Sequence, residues 1–143
     1  MARALGIDVS HWQGTINWSK VKAAGMQFAF MKATESTTYT DTQLATNWAG
    51  VQAVGMYRGA YHFARPKVGT APAQAKYFVS KVGSFQGAGT LPPVLDLEAS
   101  MAANDVTSTT TRRRARRAAA AVVLTGFPPS LPGAAGAAPL RCG

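Results

Sequence analysis

A chain of 143 residues with 47% hydrophobic side chains can fold as one domain with a real core, and no apolar run in it is long enough to cross a bilayer. A single cysteine, Cys142, excludes an internal disulfide, and no His/Cys spacing suggests a metal or any other cofactor. Fifteen basic against six acidic residues give a net charge of +9, which favours anionic polymers as partners: nucleic acid, an anionic membrane or an acidic cell-wall polymer.

Met1–Ala4 leads almost directly into a strand-like segment, with no separate apolar region of a secretion signal. A chain acting outside the cell then needs another export route, such as lysis. Ala4–Val9 reads as a first strand. Asn17 can cap a short helix through Ala24, with Gly25 placed as its stop. Phe28–Lys32 is a second strand. Thr40 or Asp41 caps a helix to about Val54, and Gly55 ends it. Met56–Phe63 is a third strand. A third helix covers Ala71–Val82, with Pro72 in its first turn and Gly83 after its end. Leu91–Leu97 is a fourth strand. Trp18 and Trp48 fall in helices and are expected in the core.

This β-α-β-α-β-α-β order predicts an α/β fold with parallel pairing and right-handed crossovers. Nearly continuous apolar strands fit a sheet covered on both faces. Two architectures satisfy the pattern: an open doubly wound sheet, or part of a (β/α) barrel. No Gly-x-Gly-x-x-Gly follows the first strand, which disfavours a dinucleotide-binding sheet.

The order breaks after residue 100. Residues 1–100 carry nine basic and five acidic side chains, whereas residues 101–143 carry six Arg, no Lys and one acid, Asp105. Of thirteen aromatic residues, Phe127 alone lies beyond residue 100. The expected organisation is therefore a βα unit over 1–100 and an Arg/Ala/Pro/Gly-rich, low-complexity segment over 101–143. That segment is either a basic arm or out-of-frame translation of GC-rich DNA, and the abrupt switch from Lys to Arg favours the second.

Parallel α/β folds place their chemistry at the C-terminal ends of the strands. Here those ends deliver Asp8, Ser10, His11 and Trp12; then Lys32, Thr34 and Glu35; then Tyr61 and His62; then Asp96 and Glu98. In an extended strand Asp96 and Glu98 point the same way. Two adjacent carboxylates repel, which raises the proton affinity of one, and such a pair suits general acid cleavage of a glycosidic bond. Ordinary alternatives stand beside each residue. Asp8 could bind its own turn, and His11 reads best as a satisfied loop histidine. Trp12 could be a core lid or a flat surface for a sugar ring. Lys32 and Glu35 could be a simple ion pair. Tyr61 and His62 alternate, so one of them faces the site, and periodicity does not say which.

Four ordered motifs carry a more specific signal: Gly6-Ile7-Asp8-Val9-Ser10-His11-Trp12-Gln13-Gly14, Phe30-Met31-Lys32-Ala33-Thr34-Glu35, Gly59-Ala60-Tyr61-His62-Phe63-Ala64 and Val94-Leu95-Asp96-Leu97-Glu98. Together they resemble glycoside hydrolase family 25, the Chalaropsis-type lysozymes. The resemblance implies an irregular TIM-like barrel, of which this chain holds the first half. It implies an N-acetylmuramidase that cuts the β-1,4 bond between N-acetylmuramic acid and N-acetylglucosamine. On that basis Glu98 matches the general acid, Asp96 a second carboxylate that stabilises the transition state or orients the acetamido group, and Asp8 a further acid. Tyr61, Trp12, Lys32, Glu35 and His62 become candidate substrate-binding residues. The implied partner is the peptidoglycan glycan strand, acted on by a monomer outside the cell or in the cell wall.

The resemblance stops soon after Glu98, so the far wall of the barrel is not accounted for. A non-catalytic peptidoglycan-binding remnant is thus one alternative. Binding of nucleic acid or membrane through Arg112–Arg117 is another, weakened by the lack of interleaved aromatics for base stacking.

Overall fold

The computed structural model describes residues 3–97. The segment 101–143 and Glu98 lie outside the described residues. Within them, strand β1 (Gly6–Val9) is followed by a one-turn 3-10 helix (His11–Gln13), helix α1 (Trp18–Ala23) and strand β2 (Phe28–Glu35). A two-residue strand β3 (Tyr39–Thr40), helix α2 (Leu44–Ala53), strand β4 (Tyr57–Phe63), helix α3 (Ala71–Val82) and strand β5 (Val94–Asp96) complete the order.

The local chemistry explains most of these boundaries. Asn17 Oδ1 accepts from Lys20 N–H at 3.0 Å and starts α1, while Gly25 and Gly55 take positive φ just past α1 and α2. The 3-10 turn carries a reciprocal cap: Ser10 Oγ accepts from Trp12 N–H, and Gln13 Oε1 accepts from Ser10 N–H at 2.7 Å.

Three elements differ from expectation by about three residues at one end. Helix α2 begins at Leu44, with Gln43 as a cap that makes no side-chain hydrogen bond. Asp41 stands two residues further back, where its Oδ1 accepts from Gln43 N–H in the turn ahead of the helix while its Oδ2 is taken by His11, and Thr40 lies in β3. Strand β2 continues to Glu35, since β3 and the end of β4 give its last residues partners. Strand β5 is cut to Val94–Asp96, because Pro92 and Pro93 have no N–H to donate to the ladder. Thr90 still forms an isolated bridge to Arg58.

The main sheet runs β1-β2-β4-β5, every neighbouring pair parallel, with β3 antiparallel to β2. Each right-handed crossover therefore steps in the same direction, which puts all the connecting helices on one face. A doubly wound sheet would reverse direction and place helices on both faces. The core agrees: Val9, Ala29, Met31, Ala33 and Ala60 from the strands pack in one cluster with Trp18, Trp48, Val51, Phe78 and Val82 from the helices. Trp18 and Trp48 are buried there, as expected.

The opposite face is less covered. Phe28 and Phe30 are half-buried, and each ring lies flat over a glycine on the neighbouring strand. A Cβ on Gly6 would fall 2.1 Å from the Phe28 ring, and one on Gly59 would fall 2.2 Å from the Phe30 ring. The two rings meet edge to face with centroids 5.9 Å apart. This floor leads upward to the strand ends.

A bulge in β2 fixes what stands there. The β2–β4 register runs Lys32↔Tyr61 and then Thr34↔His62, leaving Ala33 as an extra residue. Ala33 and Thr34 both turn toward the helices. Lys32 and Glu35, three residues apart, consequently share the face of Tyr61 and Phe63.

Candidate active site

An open cleft of about 520 Å³ lies at the C-terminal ends of the strands, on the face opposite the helices. Asp8 of β1, Lys32 and Glu35 of β2, Tyr61 of β4 and Asp96 of β5 all line it, with Trp12 of the 3-10 turn. Seven of the eight expected site residues lie among the described residues, and six of these seven share this one space. The exceptions are Glu98, which lies outside the described residues, and His62.

His62, expected as a substrate-binding candidate, does not line the cleft. It is 3% exposed on the helix side of the sheet. Its Nδ1 meets Thr34 Oγ1 at 2.7 Å, its Nε2 meets Gln74 Oε1 at 3.0 Å, and its ring packs edge-on against Phe78. Gln74 Oε1 accepts, so Nε2 carries the proton and Nδ1 accepts from the Thr34 hydroxyl. Burial lowers the His62 pKa below its ordinary 6.5, which keeps the ring neutral. The strand alternation gives the cleft to Tyr61 instead. His62 is a strut between β4 and α3.

The strut continues into the cleft wall. Gln74 is 5% exposed and holds the backbone of Arg65 at both ends: its Oε1 accepts from Arg65 N–H at 3.0 Å, and its Nε2 donates to the Arg65 carbonyl at 2.8 Å.

Lys32, Glu35 and Arg65 form a charged triad. Lys32 Nζ donates to Glu35 Oε2 at 2.5 Å and Arg65 Nε donates to Glu35 Oε1 at 2.6 Å. Burial pushes the Glu35 carboxyl up, but the hydrogen bonds and charges of Lys32 and Arg65 outweigh it, and the pKa lies below the ordinary 4.5. Both cations also lie over the Phe63 ring, Lys32 at 4.6 Å and Arg65 at 4.8 Å from its centroid. The ion pair foreseen for Lys32 and Glu35 is therefore present, and it lies inside the cleft wall.

Trp12 stands at the rim, 81% exposed. It is no core lid. Its neighbour His11 meets it at a tilt of 36°, with 4.6 Å between ring centroids, and is itself tied down by Asp41. Asp41 is 3% exposed and accepts three hydrogen bonds: from His11 N–H at 3.1 Å, from His11 Nδ1–H at 2.8 Å and from Gln43 N–H at 2.9 Å. Tyr39 adds its hydroxyl 3.1 Å from His11 Nδ1. Burial and the Asp41 and Glu35 charges raise the Tyr39 pKa above its ordinary 10.0.

Tyr39, Asp41, Phe63 and Arg65 were not foreseen as site residues. Phe63 had a signal, sharing its strand face with Tyr61. Arg65 is placed by its partners, which lie 30 and 9 residues away in sequence. Asp41 looked like a helix cap.

The sequence of this chain matches the family model described as glycosyl hydrolases family 25 over residues 7–127. The chain belongs to glycosyl hydrolases family 25. Lysozyme M1 of Streptomyces globisporus is 55% identical over 94 residues, covering 65% of this chain and 32% of that protein. The N,O-diacetylmuramidase of Chalaropsis sp is 43% identical over 98 residues, covering 66% of this chain and 46% of that protein. The crystal structure of the bacterial lysozyme from Streptomyces coelicolor superposes with a TM-score of 0.76 at 44% identity, covering 87% of this chain and 59% of that one. The chain thus spans about a third to a half of the length of these curated relatives. Its parallel strands, with helices on one face, belong to the TIM-like barrel of the family.

In this family 25 chain the cleft brings acids on the first and last described strands, Asp8 and Asp96, to one space with the Tyr61 hydroxyl between their strands. Such a set can hold a polar substrate, stabilise positive charge that develops between the carboxylates, and orient a neighbouring group by hydrogen bonding. Among the described residues no cluster of His, Cys, Asp and Glu could hold a metal ion.

Proposed function

We propose that this chain is a muramidase that hydrolyses the β-1,4 bond between N-acetylmuramic acid and N-acetylglucosamine in peptidoglycan. One observation carries the proposal: Asp8, Tyr61 and Asp96, drawn from three separate strand ends, line a single cleft with the exposed Trp12 at its rim. The lysozyme and muramidase names of the relatives support the same substrate class.

In this mechanism Glu98, two residues beyond Asp96, protonates the leaving glycosidic oxygen as general acid. The Asp96 carboxylate stabilises the oxocarbenium-like charge at the anomeric carbon or orients the acetamido group of the substrate. Tyr61 orients the same group, and Asp8 contributes a further negative charge. Trp12 offers a sugar ring an apolar face. The site of action is then the cell wall or the extracellular space. No helix among the described residues is long and apolar enough to cross a membrane.

The test is digestion of purified peptidoglycan followed by mass spectrometry of the released muropeptides. Wild-type chain releases fragments with reducing N-acetylmuramic acid ends. Glu98→Gln and Asp96→Asn lower that release by at least about a hundredfold, within the usual range for general acid catalysis, with unchanged circular dichroism. Fragments with reducing N-acetylglucosamine ends, or full activity in a folded Glu98→Gln protein, overturn the assignment.

A further inference from the structure

Arg65 is held in an unusual way for a residue whose side chain is 54% exposed. Gln74 clamps its backbone N–H and carbonyl, Glu35 accepts from its Nε, and Phe63 lies beneath its guanidinium. Its two terminal amino groups meet no acceptor among the described residues. A fork-shaped, fixed, permanently charged donor pair facing a cleft is suited to a carboxylate.

The charges agree. Lys32 and Arg65 share the single negative charge of Glu35, so the triad presents one net positive charge. Lys32 is only 8% exposed and keeps its ammonium on Glu35 and the aromatic rings, which leaves Arg65 to present that charge to solvent. Arg65 follows Phe63 by two residues, and Phe63 pairs with Asp96 on β5. The cation therefore stands in the cleft wall beside the acid-bearing strand.

We propose that Arg65 is a binding contact for carboxylates carried on the muramyl side of the glycan. The proposal rests on the muramidase reading for its substrate. Two sources supply this chemistry: the lactyl carboxylate of an unsubstituted muramyl residue, and the carboxylates of a stem peptide. Gln74 and Glu35 act as positioning residues for Arg65.

The experiment measures equilibrium binding of three soluble glycan strands to the 143-residue chain. The first carries stem peptides, the second is stripped to free lactyl carboxylates, and the third is stripped and amidated. Arg65→Gln is expected to weaken binding of a carboxylate-bearing strand about fivefold, the scale of one exposed charge-assisted contact, and to leave the amidated strand unaffected. Arg65→Lys is expected to recover part of the loss. A loss confined to the stripped strand assigns the lactyl carboxylate, and one confined to the first strand assigns the stem peptide. Equal losses on all three strands, no loss on any, or no binding by the wild-type chain overturn the proposal. Product analysis on the same strands separates the two readings: absence of new reducing muramyl ends sinks the muramidase assignment, whatever the binding data show.

Discussion

Replacing Glu35 by Gln removes the shared anion of the triad and leaves its two cations in different situations. Lys32 is 8% exposed, so its ammonium becomes an uncompensated charge in a nearly dry place. Breaking such a buried pair costs about 3–5 kcal/mol. The Phe63 and Tyr39 rings, 4.6 and 5.5 Å from Nζ, remain and retain about 1 kcal/mol of that. Arg65 is 54% exposed and its pair contributes under about 1 kcal/mol. The expected loss is about 2–4 kcal/mol, read by urea unfolding through the fluorescence of buried Trp18 and Trp48. Lys32→Met in the Glu35→Gln background removes the stranded charge at similar volume and should recover most of the loss. The linkage has a definite sign. Because the folded pKa of Glu35 lies below 4.5, its contribution is present above 4.5 and disappears as pH falls through the folded value. A loss under about 0.5 kcal/mol on Glu35→Gln, or no recovery in the double variant, would refute the assignment of Lys32 as a charge that needs this partner.

Three further outcomes are expected. His62 is neutral and buried with its pKa below 6.5, so the folded state binds fewer protons there than the unfolded one. Stability therefore declines as pH drops below 6.5, and His62→Gln should flatten that limb of a stability-versus-pH curve. Asp41→Ala strands three donors and should cost about 2–4 kcal/mol by urea unfolding, with Asp41→Asn losing less because one acceptor oxygen survives. Gly59→Ala drives a methyl into the Phe30 ring and should cost about 1–3 kcal/mol, a penalty that Gly59→Ala in a Phe30→Ala background escapes.

Legibility in the sequence followed the range of the forces involved. Helix α3 was readable to the residue because its signals are local: Pro72 in the first turn and Gly83 after the end. The parallel βα order was readable for the same reason. That order alone did not choose between an open sheet and a barrel, since the choice depends on which strands are neighbours, a long-range fact; the four motifs chose the barrel through their family resemblance. The cleft acids could be anticipated because strand ends in such folds converge. Tyr61 and His62 could not be sorted, because alternation gives two faces without saying which holds the helices. Asp41 was legible only in part: an Asp ahead of a helical run binds its turn, and Oδ1 does accept from Gln43 N–H, but the donors on Oδ2 come from His11, thirty residues earlier. Arg65 carried no signal of its own.

The extra residue at Ala33 gives β2 a parity of its own. Up to Lys32 the even-numbered side chains look into the cleft; at Glu35 an odd-numbered one does. Removing one residue between Lys32 and Glu35 would restore strict alternation and leave both of them on the cleft side, with the remaining small residue toward the helices. Removing two would make Lys32 and Glu35 consecutive and send the carboxylate among the helices. This stretch of the strand therefore counts modulo two, and the shorter deletion preserves inside and outside where the longer one reverses them.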